Sequence, residues 1–452
     1  MIGHSDTIFA LSTPGLPAAL AVIRISGPKV RFVIETMCGR LPEPRVAGYL
    51  SIADPESGSV IDRGLVLWFP SPASFTGEDM AELQVHGGPA VVRAILDSLV
   101  RLKDMRIAEA GEFTYRAFIN GKMDLTAVEG LADLISAETE SQRRQALRQG
   151  EGRLGRIYTS WRERLIRVRA MIEAELDFAD EDDVPDDPKT GLRQELENVL
   201  SEIRDHLHGS TRSRAIRSGL SVVLQGAPNV GKSSLLNALS RRDAAIVSAE
   251  AGTTRDVVTV PMDLGGYLFS ISDTAGIRET VSSVEAEGVR RSLEAGRRAD
   301  LILWLDDGSE GSRFDKDQAA PGSESAGGVP VWIVASKMDL RTETGANAIR
   351  TADILISSES GLGLEMLEQK LIAFGAARLG SGSDDLATRA RHVEELQRTA
   401  AGLQAALHGT ERPVELMAED LRSASDALGR LTGRIDVEDL LDVIFSEFCI
   451  GK

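Results

Sequence analysis

Residues 226–233 read Gly-Ala-Pro-Asn-Val-Gly-Lys-Ser, after the apolar run GLSVVLQ and before the helix-like stretch SLLNALS. They match the phosphate-binding pattern GxxxxGK[ST] in its strand, loop and helix setting. The glycines let backbone N–H groups turn inward onto a phosphate, and the following helix presents its positive end to the anion. Lys232 adds a cation near the terminal phosphates, and the Ser233 hydroxyl is placed to bind Mg²⁺. The stretch predicts an α/β domain that binds a nucleoside triphosphate.

Three downstream segments indicate which nucleotide is bound. Asp273-Thr274-Ala275-Gly276 follows the strand-like YLFSIS, where a GTPase has the Asp on its Mg²⁺ side. Ser336-Lys337-Met338-Asp339 follows VPVWIVA, where GTPases carry [NT]KxD, and Ser357-Ser358-Glu359 follows ADILI, where an SAK-like motif belongs. The Asp339 carboxylate would accept two hydrogen bonds from guanine N1–H and its 2-amino group, a donor pair that adenine lacks. The order of the four segments therefore predicts GTP.

Two of these segments depart from the usual pattern. Ser336 replaces Asn and has a shorter reach, so we expect a modest affinity for GTP with base selectivity kept. Ser358 and Glu359 replace Ala and Lys, which changes the contact but not the position of that loop. The predicted GTP contacts in these motifs are Asn229, Val230, Gly231, Lys232, Ser233, Ser234, Asp273, Thr274, Ala275, Gly276, Ser336, Lys337, Met338, Asp339, Ser357, Ser358 and Glu359.

The residue after Asp-Thr-Ala-Gly is Ile277, and an apolar side chain cannot orient the attacking water. Other groups must supply this chemistry, or hydrolysis is very slow. Asn229 offers a carbonyl oxygen near the phosphates. Backbone carbonyls of residues 248–256 would complete the shell of a monovalent cation, which would replace an arginine finger. Thr254 is a second candidate Mg²⁺ ligand. Glu285 is the candidate to hold the water, although by itself it is more typical of a solvated helix surface.

Composition is that of a water-soluble globular chain. Of its residues, 42% are hydrophobic and 27% are charged. The length of 452 residues predicts about three domains. The sequence has neither a membrane-length apolar run nor a leader-like N-terminus, and two cysteines, Cys38 and Cys449, provide no disulfide framework. We therefore expect a cytoplasmic protein that does not enter a membrane. The formal charge of −18 argues against broad non-specific binding of nucleic acid, but not against a local basic face.

Periodicity predicts a multidomain chain. Residues 1–120 mix short apolar alternations with turns and predict an α+β domain, and 121–217 are strongly helical. The α/β nucleotide domain is expected at 218–380, with a long loop at 307–328, and helices resume over 381–452. Helical sequence on both sides suggests that the nucleotide domain is inserted into one all-α domain.

Positive charge is concentrated in part of the helical region. Between residues 141 and 170, two glutamates accompany the arginines Arg143, Arg144, Arg148, Arg153, Arg156, Arg162, Arg164, Arg167 and Arg169. A solvated helix face that pairs with acidic neighbours is the favoured interpretation. A stripe that binds RNA phosphates is the alternative.

Several segments together resemble one family, the tRNA-modification GTPases called MnmE or TrmE, over essentially the whole chain. They are FTGEDMAELQVHGG, EAGEFTYRAFINGKMDLTAVEGLADLI, GAPNVGKSSLLNALSRRDAAIVSAEAGTTRD, DTAGIRETVSSVEAEGVRRS and the ending LTGRIDVEDLLDVIFSEFCIGK. The resemblance implies a homodimer that joins a flavin-dependent partner, MnmG, in a heterotetramer. Together they would attach an aminomethyl or carboxymethylaminomethyl group to C5 of the wobble uridine of certain tRNAs.

The resemblance also implies cofactors and their residues. GTP hydrolysis would need Mg²⁺, held by Ser233 and Thr254, and K⁺, and Glu285 matches the proposed catalytic glutamate. The K⁺ ligands would be Asn229, Ser248, Glu250 and Thr253, where Glu250 stands in an expected apolar position and would use its carbonyl. The whole loop would line the nucleotide, namely Ser248, Ala249, Glu250, Ala251, Gly252, Thr253 and Thr254.

The one-carbon donor would be a tetrahydrofolate, in the 5-formyl or methylene form, bound at the N-terminal domain. The resemblance assigns it Arg24, Glu82, Lys122 and Lys452. A carboxylate suits the donor edge of a pterin, and cations suit the carboxylates of the glutamate tail. His86 and Cys449 stay open between chemical and structural roles.

Two other functions share part of this sequence pattern. A ribosome-assembly GTPase of the Era-like class has the same nucleotide-binding core, but no GXXG-type RNA-binding module follows residue 380. A folate-dependent aminomethyltransferase with a regulatory GTPase is the third possibility.

Overall fold

The computed structural model describes residues 6–177, 188–241, 258–273, 299–309, 328–340, 352–380, 387–408 and 413–435, with positions 441, 444, 445, 448 and 451. The contacts divide the chain into two units. Unit 1 comprises Met1–Ala132, Gln149–Ser201 and Glu394–Lys452, and unit 2 comprises Asp133–Arg148 and Glu202–Val393.

A sheet with the strand order β3-β4-β5-β2-β1-β6 forms the centre of unit 1. Its neighbours run antiparallel, except that β1 and β6 are parallel. The strands are β1 Thr7–Leu11, β2 Ala18–Ser26, β3 Gly48–Ala53, β4 Val60–Phe69, β5 Met80–Gly87 and β6 Met105–Ile107.

Two helices, α1 (Val30–Cys38) and α2 (Pro89–Arg101), cover one face of this sheet. Ile34 and Ile95 pack there with Ile23 and Leu83 of the strands. Because side chains alternate along a strand, the residues between these apolar ones lie on the other face. Arg24 of β2 stands opposite Glu82 of β5 in the register, so the two charges share that face.

Further helices follow the strands of this sheet along the chain. They are α3 Glu112–Ile119, α4 Leu125–Ile135, α5 Glu140–Gly150, α6 Arg153–Asp177, α7 Pro188–Ser218, α10 Ala390–Leu407 and α11 Val414–Thr432. Helix α6 buries Leu154, Tyr158, Trp161, Leu165, Val168 and Ile172, at alternating steps of four and three residues. This spacing puts one apolar stripe along the helix, which packs against α11 within unit 1.

Unit 2 contains a second sheet, of order β12-β11-β10-β7-β9-β8, in which β8 alone is antiparallel to its neighbour. Its elements are β7 Leu220–Gln225, α8 Lys232–Leu239, β8 Val258–Leu264, β9 Tyr267–Asp273, β10 Leu301–Asp306, β11 Val331–Ala335, β12 Ile354–Leu355 and α9 Leu364–Leu379. The carboxyl ends of the parallel strands meet at one edge, where doubly wound sheets bind their ligands.

The predicted fold class, an α+β domain, a helical domain and an inserted α/β nucleotide domain, is confirmed. The predicted domain borders stay a prediction. The contacts group Asp133–Arg148 and Glu202–Val393 in unit 2, a wider range than the predicted nucleotide domain of 218–380. Within the described part of the chain, no helix has both the length and the apolarity needed to cross a membrane.

Candidate functional site

The phosphate loop connects β7 to α8 and contains three residues with positive φ. Gly226 and Gly231 have φ of 139° and 106°, and Asn229 has φ of 62°. A Cβ on Gly226 would lie 2.5 Å from the carbonyl oxygen of Leu305, so this position has no room for a side chain. Helix α8 begins at Lys232, directly after Gly231. The loop therefore has the turn and helix start that a phosphate site needs.

Lys232 is buried inside this loop. Its Nζ donates hydrogen bonds of 2.8 Å to the carbonyl oxygens of Gly226 and Ala227. Burial lowers the pKa of the lysine, and the charge of Asp273 opposes that shift. An ammonium group held over the loop by two neutral carbonyls suits an anionic ligand.

The predicted Mg²⁺ side is also assembled. The Ser233 hydroxyl donates a 2.5 Å hydrogen bond to Oδ2 of Asp273, which is buried at the end of β9. Hydroxyl and carboxylate oxygens are the hard donors that Mg²⁺ prefers, so this pair fits the ion. Thr254, the third predicted group, lies outside the described residues.

The predicted guanine-reading residues follow β11 and β12. The Ser357 hydroxyl donates a 2.5 Å hydrogen bond to Oδ1 of Asp339, and Ser357 is fully buried. This bond orients the Asp339 carboxylate. Lys337 pairs with Asp307 at 2.9 Å. Burial would raise the pKa of Asp307, but hydrogen bonds from Ser309 and Lys337 hold it below the usual value.

Ser336 makes a contact that the sequence did not suggest. Its hydroxyl donates a 2.7 Å hydrogen bond to the carbonyl oxygen of Val230 in the phosphate loop, and both atoms are buried. The short side chain thus ties the guanine side of the site to the phosphate side. Ser234, Asn229 and Glu359 are exposed, and Ser358 is half-buried.

Other predicted residues of this site lie outside the described residues, and their roles stay predictions. They are Ser248, Ala249, Glu250, Ala251, Gly252, Thr253, Thr254, Thr274, Ala275, Gly276, Ile277 and Glu285.

A second candidate site lies on the sheet of unit 1. Arg24 pairs with Glu82, with Nη2 and Nε at 3.0 and 3.3 Å from Oε1. The guanidinium carbon of Arg24 lies 5.4 and 5.7 Å from the ring centres of Phe75 and Phe113. A carboxylate, a cation and two aromatic rings in one place can bind a polar heterocycle.

The end of the chain reaches this second site. The carbonyl oxygen of Gly451 accepts hydrogen bonds from the Ser12 hydroxyl at 3.0 Å and from Nη1 of Arg24 at 3.5 Å. Gly451 has φ of 98°, and a Cβ there would lie 2.6 Å from the carbonyl oxygen of Leu11. Lys452 and Cys449 lie outside the described residues. Of the predicted folate residues, the structure thus brings Arg24 and Glu82 together, next to the residue before Lys452.

Lys122, the other predicted folate residue, contacts the loop that carries Phe75. Its Nζ donates a 2.9 Å hydrogen bond to the carbonyl oxygen of Pro72. Asn120 donates from Nδ2 to the carbonyl oxygen of Thr76 at 2.7 Å. The residues at the start of the α3–α4 connection therefore support the loop beside Arg24.

A buried ion cluster that was not predicted from the sequence surrounds Arg116, which is 1% exposed. Arg116 contacts Asp6, Glu78 and Glu112 at 2.9, 3.1 and 3.0 Å, and Arg106 pairs with Asp6 and Glu112. Burial would raise the pKa of Glu112, but hydrogen bonds from Arg106 and the Glu109 N–H lower it. The cluster fixes α3 to Glu78, near Phe75. Its one signal in the sequence is the four-residue spacing of Glu112 and Arg116.

Many arginines of the 141–170 segment have carboxylate partners. Arg143 and Arg144 pair with Glu140, Arg153 with Glu151, Arg164 with Glu195 and Arg169 with Glu173. These pairs support the interpretation of a solvated helix face, and RNA contact stays a prediction.

His86 is held by one carboxylate. Its Nδ1 lies 2.9 Å from Oδ1 of Asp62, and its side chain is 71% exposed. The backbone N–H of His86 donates to the other carboxylate oxygen of Asp62 at 2.8 Å. These contacts fit the structural role considered for this histidine, and its chemical role stays open.

Comparison with known proteins gives two family matches and many curated relatives. Residues 125–449 match the family described as the MnmE helical domain, and residues 7–122 match the GTP-binding protein TrmE N-terminus. The chain is 51% identical over 451 residues to the tRNA modification GTPase MnmE of Brucella canis, covering 99% of each chain. It is 50% identical over 450 residues to that of Brucella anthropi, covering 99% of this chain and 98% of the relative.

Among solved structures, Era from Aquifex aeolicus is similar to part of the chain. The match has a TM-score of 0.28 and 24% identity, and covers 40% of this chain and 66% of Era. Similarity of this extent supports no statement about function.

Proposed function

Because the chain belongs to the MnmE family of tRNA modification GTPases, we propose that it couples GTP hydrolysis to modification of the wobble uridine of tRNA. The observation that carries this proposal is the joined nucleotide site at one edge of the unit 2 sheet. There Ser233 meets Asp273, Ser336 meets Val230, and Ser357 meets Asp339. One edge thus holds groups for a metal-bound triphosphate and for a guanine base.

Guanine selectivity in this proposal depends on Asp339. Ser357 occupies Oδ1 of its carboxylate and fixes the orientation of the group. The carboxylate then accepts hydrogen bonds from guanine N1–H and the 2-amino group. Adenine provides no such donors, and leaving the carboxylate unpaired would disfavour adenine by about 1–3 kcal/mol.

Hydrolysis in this proposal uses residues on both sides of the phosphates. Ser233 and Thr254 would hold Mg²⁺, and Asn229, Ser248, Glu250 and Thr253 would hold K⁺. When bound, these cations would supply positive charge where negative charge develops on the phosphate oxygens. Glu285 orients the water that attacks the γ-phosphorus, because Ile277 has no polar group for that task.

The one-carbon chemistry in this proposal belongs to unit 1. Arg24 and Glu82 bind the pterin of a tetrahydrofolate, in the 5-formyl or methylene form, with Lys122 and Lys452 on its carboxylates. The contact between Arg24 and Gly451 supports this, since it brings the end of the chain to the proposed site. A homodimer would act with a flavin-dependent MnmG-type partner on tRNA, as a heterotetramer. The product would carry an aminomethyl or carboxymethylaminomethyl group at C5 of the wobble uridine.

A test of the catalytic assignment is the variant Glu285→Ala, with Glu287→Ala as a matched control two residues away. We expect Glu285→Ala to lower kcat by ~10²-fold or more with the affinity for GTP nearly unchanged, because Glu285 acts on the water. Glu287→Ala should keep the wild-type kcat. In a reconstituted reaction with the partner, a folate and tRNA, Glu285→Ala should form no modified uridine. An unaltered kcat for Glu285→Ala would remove this residue from the mechanism.

A further inference from the structure

Unit 1 contains a cavity of about 640 Å³. Its wall is formed by the connection from α3 to α4, the connection from α5 to α6 and the end of α11. The volume is in the range of small-molecule sites. The charged residues of the wall are Lys122, Asp124, Glu151, Arg156 and Arg434.

The two carboxylates of this wall are already engaged. Oδ1 of Asp124 accepts hydrogen bonds from the Thr126 hydroxyl at 2.6 Å and the Ala127 N–H at 2.9 Å, which caps α4. Glu151 pairs with Arg153, which is not part of the wall, at 3.3 Å. Within the described residues, neither carboxylate makes an ion pair with a cation of the cavity wall.

Two of the three cations of the wall donate hydrogen bonds to neutral groups. Lys122 donates to the backbone carbonyl oxygen of Pro72 and Arg156 to that of Glu151, both at 2.9 Å. Among the residues that the structure describes, Lys122, Arg156 and Arg434 have no carboxylate within ion-pair distance. The cavity wall is therefore positive and suited to carboxylates, which guanidinium groups bind in pairs of hydrogen bonds.

This cavity is connected to the site at Arg24 by one loop and one helix. The loop of residues 72–77 carries Phe75, which lies over Arg24, and a Cβ on Gly77 would lie 3.3 Å from Cγ of Lys122. Helix α3 runs from Phe113, beside Arg24, to Ile119 in the cavity wall. Six residues of helix span about 9 Å, a distance that an extended ligand covers.

We propose that the cavity binds the carboxylates of the γ-linked glutamate chain of a folate whose pterin lies at Arg24 and Glu82. This inference rests on the folate site of the proposed function and extends it to Arg156 and Arg434, to which the sequence assigned no role in folate binding. A chain with one carboxylate per residue matches cations spread around a recess. The volume of the recess is that of a small-molecule site, which favours a folate tail over RNA phosphates.

The test compares two probes, 5-formyltetrahydrofolate with one glutamate and with five, by calorimetry on the full-length protein. We expect the pentaglutamate to bind roughly tenfold more tightly, the factor that two or three partly exposed ion pairs provide. Arg434→Ala and Arg156→Ala should each lower this preference two- to threefold without changing the affinity for the monoglutamate. Arg434→Glu should remove the preference. The matched control is Arg167→Ala, an exposed arginine of α6 eleven residues beyond Arg156, about 16 Å along the helix.

Each other outcome overturns the proposal in a distinguishable way. Equal affinities for the two probes would refute the glutamate subsite while leaving the folate site in place. A preference that survives in all the arginine variants would place the tail elsewhere. Binding of neither probe would refute the folate site itself and this inference with it. Loss of tRNA affinity in Arg156→Ala and Arg434→Ala, with both folate affinities unchanged, would assign the cavity to RNA.

Discussion

The Ser336 hydroxyl donates a 2.7 Å hydrogen bond to the carbonyl oxygen of Val230, and this bond joins two loops of the nucleotide site. Ser336 lies directly after β11, and Val230 lies in the phosphate loop after β7. Because both atoms are buried, neither can replace the bond with water. Ser336 thereby makes the position of the phosphate loop depend on the guanine-reading segment.

The first prediction follows from this bond. Ser336→Ala leaves the Val230 carbonyl oxygen unpaired, so we expect the affinity for GTP to fall by about 0.5–1.5 kcal/mol, or roughly two- to tenfold. Ser336→Asn should keep or raise the affinity, because its amide also donates and has the longer reach of the residue usual at this position. Ser240→Ala is the matched control, since the Ser240 hydroxyl bonds a carbonyl at 2.8 Å at the end of α8. Nucleotide titration measures all three, and wild-type affinity in Ser336→Ala would contradict this role.

The second prediction concerns the monovalent cation. Since Ile277 cannot orient water, we expect GTP hydrolysis to be much faster in K⁺ than in Na⁺, and Asn229→Ala to remove that stimulation. K⁺ should also favour association of two nucleotide domains with a transition-state mimic. Asn237→Ala, an exposed asparagine of α8, is the control and should respond to K⁺ as the wild type does. Equal rates in both salts would count against a cation in place of an arginine finger.

A third prediction concerns the docked chain end. Removing residues 448–452 should abolish folate binding and tRNA modification but leave GTP hydrolysis largely intact, because no nucleotide motif lies there. Gly451→Ala should act in the same direction, since its Cβ would lie 2.6 Å from the carbonyl oxygen of Leu11. Folate calorimetry and hydrolysis assays measure these effects. Normal folate binding by the shortened protein would exclude the chain end from the site.

Glu82→Ala tests the same site from the sheet side. We expect it to weaken binding of 5-formyltetrahydrofolate by about 1.5–3 kcal/mol, the range for a hydrogen bond to a charged group. Gln84→Ala, on the same face of β5, is the control and should bind like the wild type. Unchanged affinity in Glu82→Ala would show that the folate binds elsewhere.

A further prediction concerns pH. Burial, together with the charge of His392, lowers the pKa of His206 from 6.5 to about 4, and its Nε2 accepts the Ala387 N–H at 3.0 Å. The unfolded chain therefore takes up this proton first as the pH falls. Protonation of His206 therefore does not change the free energy of unfolding above pH 6.5. As the pH falls from 6.5 towards 4, it lowers the free energy of unfolding by up to about 1.4 kcal/mol per pH unit.

The variant His206→Gln measures this effect, because glutamine does not titrate and its oxygen can still accept the Ala387 N–H. Between pH 7 and pH 4.5, its unfolding midpoint should fall less steeply than that of the wild type. His208→Gln, an exposed histidine of the same helix, should keep the wild-type slope. Identical slopes for His206→Gln and the wild type would contradict a buried neutral His206.

The sequence predicted features that depend on neighbouring residues. The pattern of residues 226–233 and its flanks predicted a strand, a loop and a helix. The structure has β7, a loop with two glycines of positive φ, and α8 at these places. Residues 121–217 were likewise predicted to be helical, and α4, α5, α6 and all but the last residue of α7 lie in that range. Such patterns are readable because a periodic backbone repeats them over a few residues.

Contacts between distant residues were not predictable in the same way. Ser336 is 106 residues from Val230, and Ser12 is 439 residues from Gly451. The ion cluster at Arg116 draws its carboxylates from three separate segments. No local pattern encodes such pairs, because they depend on which elements the tertiary fold brings together.

Mass spectrometry of tRNA nucleosides tests the central claim most directly. A strain without this chain should lose the C5-modified wobble uridines, and the wild-type chain should restore them. The Glu285→Ala chain, in which we expect GTP hydrolysis to be slower by ~10²-fold or more, should not restore them to the wild-type level. If the modified wobble uridines persisted unchanged in the deletion strain, the chain would not be the GTPase that acts in this modification.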